Sequence, residues 1–161
     1  MRAIPYRLVL IATAAVAALV PVAAVPGAAH AAGPAVVTPA QSAIGSWRTT
    51  VTIPGRADSV VTLVFAPRHL VTITGPTGPD GKPLYVGAGL WKLAGDRLSF
   101  TVVHPVPAAD GSLLGVIHGT QEGAIDGGTF QTTGESYLYK PDATVSGPNP
   151  VSMTGVRTAA R

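Results

Sequence analysis

From Gly45 onward, apolar residues in this chain recur at alternate positions rather than at every third or fourth. In "SVVTLVFA" (Ser59–Ala66), Val61, Leu63 and Phe65 share one face, and in "RLSFTVVH" (Arg97–His104) Leu98, Phe100 and Val102 alternate with Ser99 and Thr101. A period of two is the mark of a strand with one face buried. Further runs rich in β-branched and aromatic residues cover Trp47–Ile53, His69–Thr74, Leu84–Leu93, Leu113–Ile125, Thr129–Lys140 and Val151–Arg157. No stretch of helical length carries a helical spacing. Eight strands and no helix are therefore expected.

The punctuation between the runs sets the connectivity. Asp80-Gly81, Asp110-Gly111 and Asp126-Gly127 fall between strands, and Gly95-Asp96 separates the fourth from the fifth. Asp-Gly suits a type I′ hairpin turn, in which both central residues take positive φ. Strands joined by such short links must be antiparallel, because parallel neighbours need long crossovers. An up-and-down meander leaves two open edges unless it closes on itself, so an eight-stranded antiparallel barrel is expected over 45–158. A two-sheet sandwich is the alternative; only the links Gly75–Pro83 and Pro105–Asp110 are long enough to cross between sheets.

The segment "GAGLWKLAGDRLSF" (Gly87–Phe100) has the glycine density of a nucleotide loop. Its glycines fall inside a strand run and no helix follows, which excludes the dinucleotide-binding arrangement. Glycines within barrel strands permit tight coiling and let a large neighbour, here Trp91, pack across them.

The first 44 residues read differently. Arg2 and Arg7 precede an apolar run from Leu8 to Val20, prolines interrupt at Pro21 and Pro26, and Ala29-His30-Ala31 offers small residues at a cleavage site. This is the layout of a signal peptide over 1–31, followed by a flexible lead-in over 32–44 and, beyond the barrel, a tail over 159–161. A retained membrane anchor is the competing reading; the prolines, the alanine-rich run and the lack of a basic flank weigh against it. Membrane contact is accordingly expected only through the leader, and the product is expected to be secreted. The formal charge of +3 shrinks once Arg2 and Arg7 are removed, leaving 9 basic against 8 acidic residues. The remaining Lys and Arg form no stripe of the kind nucleic acid requires. With no cysteine, stability must come from packing and backbone pairing.

Gly45-Ser46-Trp47 at the head of the first strand, together with Arg157 in "TGVR" near the end of the last, resembles the lipocalin/calycin superfamily. The "GDRLSF" run (Gly95–Phe100) and "GTFQTTGESYLY" are similar to small exported bacterial calycin-like proteins of unassigned function. The resemblance covers Gly45–Arg157. It implies that Trp47 closes one end of the barrel with Arg157 over its ring. The disulfide usual in lipocalins has no counterpart here.

Candidate chemistry is sparse. His104 and His118 flank the Asp110-Gly111 turn. A two-residue turn offsets them by one position, onto opposite faces, whereas a loop one residue longer brings them face to face. A metal site would need a third ligand from Glu122 or Glu135; the plainer reading is two strand-end histidines near the rim. Glu122 and Glu135 could work as an acid/base pair only if they shared a cleft, and solvent-facing placement beside Gln121, Thr133 and Ser136 is favoured. There is no Gly-x-Ser-x-Gly elbow and no cysteine nucleophile. No catalytic residue, metal or cofactor is therefore assigned. Phe65, Trp91, Phe100, Val102, Ile117 and Phe130 are the candidates for the barrel interior, where they either fill the space or line a site for a small apolar or amphiphilic ligand. The readings that follow are a ligand-binding barrel, a filled barrel that contacts other proteins, and a cyclase- or isomerase-type enzyme.

Overall fold

The computed structural model describes residues 42–108 and 110–159. The leader, most of the lead-in and the end of the tail lie outside the described residues. The alternating runs become eight strands: β1 (Gly45–Thr52), β2 (Ser59–Ala66), β3 (Leu70–Thr74), β4 (Val86–Ala94), β5 (Arg97–Pro107), β6 (Leu113–Asp126), β7 (Thr129–Tyr139) and β8 (Val145–Ala159). Each pairs antiparallel with the next, and β1 pairs with β8 to close the ring. The expected all-β, eight-stranded up-and-down barrel is the observed fold. The sandwich is excluded by the seam, where Trp47 faces Arg157 and Val51 faces Met153. Every strand then has two neighbours, so no backbone edge is left open along the ring.

Alternation explains the core. Val61, Leu63 and Phe65 on β2 are buried, as are Val71 and Ile73 on β3 and Leu98, Phe100 and Val102 on β5. The outward positions between them are Thr, Ser and Val, as expected for a wall with one dry face. Two strands run further than the alternation indicated. β5 continues through Pro105 to Pro107, and β8 starts six residues earlier than expected, at Val145. Proline cannot donate a ladder hydrogen bond, which is why both segments read as loops. Here they sit at register shifts, between Val106 and Pro107 on β5 and opposite the Ser136/Leu138 irregularity of β7.

The turns correct the type I′ expectation. Gly81, Gly111 and Gly127 take positive φ, but their aspartates do not. At the β6–β7 turn, Asp126 pairs with Thr129, so the central residues are Gly127 and Gly128 rather than Asp126 and Gly127. At β5–β6 the loop runs between Ala108 and Ser112, which bond across it at 2.8 Å. Asp110 there caps the turn by accepting from the Ser112 amide (2.9 Å) and hydroxyl (2.7 Å). In these Asp-Gly turns Asp80 and Asp110 contribute side-chain acceptors and the glycine carries the left-handed backbone, whereas elsewhere Arg68, His69 and Ala143 take positive φ themselves.

The barrel has two unlike ends. The β2–β3, β4–β5 and β6–β7 turns lie at the end where Trp47 is buried. There Trp47, Phe65, Phe100 and Phe130 form a cluster of edge-to-face rings, with centroids 5.3 Å apart for Trp47–Phe130 and 5.4 Å for Phe65–Phe100. Such pairs add about 0.5–1.5 kcal/mol each beyond the area they bury. The Trp47 indole N–H donates to the Ala43 carbonyl at 2.8 Å, satisfying its one polar atom. The Arg157 guanidinium carbon lies 4.3 Å from the Trp47 ring centroid. Its nitrogens donate to the carbonyls of Ile44 (2.6 Å) and Ser42. This end is filled and closed.

Candidate functional site

At the opposite end the interior is not filled. A cavity of about 470 Å³ opens between the β1–β2, β3–β4, β5–β6 and β7–β8 connections. Inward positions of the upper strand halves form its walls, among them Ile53, Ile73, Val102, Ile117, Leu138 and Met153. The floor follows from register. Gln121 lines the cavity and stands opposite Phe100, the upper member of the aromatic cluster, so the ring packing ends where the cavity begins.

Gln121 is buried and held in place. Its Oε1 accepts from the Thr132 hydroxyl at 2.9 Å, and its Nε2 donates to the Val151 carbonyl at 3.4 Å. Ser136 is also buried and lines the cavity, beside Asn149, whose amide donates to the Ser136 carbonyl at 3.3 Å. Glu122 and Glu135 are exposed, and their sequence neighbours Gln121 and Ser136 are on the inner face. Parity along β6 carried the signal for Gln121, because Ile117, Gly119, Gln121, Gly123 and Ile125 are successive inward positions.

One wall is built around an aromatic stack. The rings of Tyr85 and His104 lie 4.1 Å apart and within 14° of parallel. Two glycines make the room: a Cβ on Gly75 would come within 2.7 Å of the Tyr85 ring, and one on Gly87 within 2.5 Å of the His104 Cβ. The His104 Nδ1 is 3.0 Å from the Pro105 carbonyl. A carbonyl only accepts, so Nδ1 carries the proton and Nε2 of the neutral ring is left as an acceptor. Burial pushes the His104 pKa below the usual imidazole value, against the smaller opposing pull of the Pro105 carbonyl. The same burial raises the Tyr85 phenol. The neutral forms of both rings are favoured in this wall.

Comparison with protein families, with curated proteins and with solved structures returned no match. The site therefore rests on its own geometry.

Of the interior candidates, Val102 and Ile117 line the cavity. Phe65, Phe100 and Phe130 belong to the closed-end cluster. Trp91 is also at that end, half-buried against Phe65 at 5.8 Å, with its indole N–H donating to the Ala66 carbonyl at 2.9 Å. The barrel-closing pair, Trp47 and Arg157, is stacked as described above. His104 lines the cavity, but His118 is on the outer wall, exposed and tilted against Tyr139. The reason is register: His104 faces Ile117, and His118 faces Val103, so the two histidines point to opposite sides of the sheet. Glu122 is exposed beside a shallow outer furrow along Leu90, Lys92 and Thr101. Among the described residues, no group of three His, Cys, Asp or Glu side chains is placed to hold a metal ion. What the geometry offers is an apolar, one-ended container with a few oriented hydrogen-bonding groups.

Proposed function

We propose that this protein is an exported, calycin-like barrel that holds one small, predominantly apolar molecule in its open half without covalent chemistry. The observation that carries the reading is the cavity of about 470 Å³ above the Gln121 floor. That volume falls within the range of about 300–1,000 Å³ typical of small-molecule sites, and the wall composition, aliphatic with a handful of polar groups, is typical too. The closed end supports it. A barrel filled below Gln121 by aromatic rings provides a rigid base, so the cavity need not collapse when empty. Export rests on the leader pattern at residues 1–31.

Two measurements test this reading. Native mass spectrometry of protein recovered from culture medium is expected to show the chain shortened at the Ala31–Ala32 bond and carrying a bound small molecule. Phenylnaphthylamine, an apolar dye that fluoresces when shielded from water, is expected to bind at one site per barrel. Ile117→Trp, which puts an indole into the cavity, should abolish the fluorescence while leaving the β-sheet circular dichroism intact. Dye binding unchanged by Ile117→Trp would place the apolar site elsewhere and refute the reading.

A further inference from the structure

The cavity mouth is chemically lopsided, and the lopsidedness selects a class of ligand. Two cationic side chains line the cavity, Arg56 in the β1–β2 connection and Lys140 at the start of the β7–β8 connection. Because β8 pairs with β1, these connections are neighbours around the rim, and both cations stand on the same side of the opening. The far side is formed by the Tyr85–His104 stack with Val106 and Leu114, and carries no fixed charge.

Three aspartates of the connections at this end do not line the cavity and bond to hydroxyl or amide groups close to them. Asp58 accepts from the Thr52 hydroxyl at 2.8 Å. Asp110 caps the β5–β6 turn through Ser112. Asp142 takes the Thr144 hydroxyl at 2.6 Å and its amide at 3.0 Å, and these bonds hold its carboxyl below the ordinary range ahead of the weaker pull of Lys140. Glu135 is the one acid among the lining residues, and it accepts from the Tyr137 hydroxyl at 3.4 Å. Hydrogen bonding does not remove the charge of Asp58 or Asp142, so the positive excess is local: of the charged side chains that line the cavity itself, two are cationic and one is anionic.

We infer that the ligand is an apolar molecule bearing a single anionic group, inserted tail first, with its charge held at the mouth between Arg56 and Lys140. This rests on the cavity being a ligand site and adds the headgroup and the orientation. Seating the charge deeper would strip its water beside aliphatic walls with no cation in reach, and seating it on the Tyr85–His104 side would do the same. At the seam side it keeps part of its hydration and gains two opposite charges. A cationic amphiphile meets repulsion in that place. A neutral one gains only the apolar burial.

Three decyl compounds that share a tail separate these cases by displacing phenylnaphthylamine from the full chain: decanoate, decanol and decyltrimethylammonium. Partly exposed ion pairs contribute modestly, so decanoate should displace the dye at a concentration about five- to tenfold lower than decanol. Decyltrimethylammonium should be the weakest. The decanoate advantage should fall as salt rises, since mouth charges are open to screening. In an Arg56→Gln/Lys140→Gln double variant, decanol should compete as before and decanoate no better than decanol. If the dye binds but all three compounds displace it equally, or the double variant keeps the decanoate preference, the headgroup inference is overturned and the cavity reading stands. If the dye does not bind at all, both fall.

Discussion

Trp47 combines ring packing, a hydrogen bond and a stacked cation at the closed end. Its indole packs edge-to-face on Phe65 and Phe130, its N–H is bonded to Ala43, and Arg157 covers its ring. Trp47→Ala should therefore cost about 3–5 kcal/mol of stability in urea unfolding, the usual range for a large aromatic removed from a core. Arg157→Gln should cost less, because the carbonyls of Ile44 and Ser42 can recover water at the barrel end. The pair should couple by about 1 kcal/mol in a double-mutant cycle, as expected for a cation on an indole face with limited solvent. Strictly additive losses would show that the guanidinium acts only through its carbonyl bonds. Both residues were singled out before any coordinates by the resemblance of Gly45-Ser46-Trp47 and of the late Arg157 to the lipocalin/calycin pattern. The partners of Arg157 were not legible. Carbonyl bonds to Ile44 and Ser42 depend on how the chain enters β1, and no residue type encodes that.

At the scale of the strands, alternation specified which face of each is buried, and glycine placement specified where walls come close. Gly155 on β8 faces Phe130 on β7, and a Cβ there would lie 2.0 Å from the Phe130 ring. The aromatic cluster thus needs a missing side chain on the neighbouring strand. Gly155→Ala should cost about 1–3 kcal/mol, the range for forcing a methyl group into a packed core. The cost should shrink in a Phe130→Leu background, where the ring no longer blocks the position. A Gly155→Ala variant as stable as the parent would show that the contact is not tight. Strand ends were the poorly legible part. Pro107 and Pro148 lie within strands at register irregularities, whereas Pro105 and Pro150 pair in register with Val116 and Glu135. Such irregularities arise from pairing with a neighbour and leave no mark on the strand's own sequence.

For the whole molecule, the division into a filled half and an open half governs stability as well as binding. His104 sits in the open half with its pKa lowered, chiefly by burial. In the unfolded chain its pKa returns to about 6.5, so below that pH the unfolded state takes up protons that the folded state resists. The stability associated with neutral His104 is thus present above about pH 6.5 and lost as pH falls through the lower folded value. The urea midpoint of the parent protein should drop between about pH 7 and pH 5, and His104→Phe, which preserves the stack on Tyr85, should flatten the drop. Parallel pH curves for the two proteins would show that water reaches His104 freely.

The sequence alone determined the strand class and the up-and-down order, because period-two alternation and short turns are local properties with few solutions, while the closed end was indicated only by the resemblance of Trp47 and Arg157 to the lipocalin/calycin pattern. It did not determine whether the interior is solid or hollow. Phe65, Phe100 and Phe130 appear interchangeable with Val102 and Ile117 along the chain, yet register stacks the first three around Trp47 and leaves the other two lining a cavity. The two cations at the mouth come together only because β8 closes on β1. Cavities and charge clusters of this kind are sums over all eight strands, fixed by closure of the ring and invisible in any one of them.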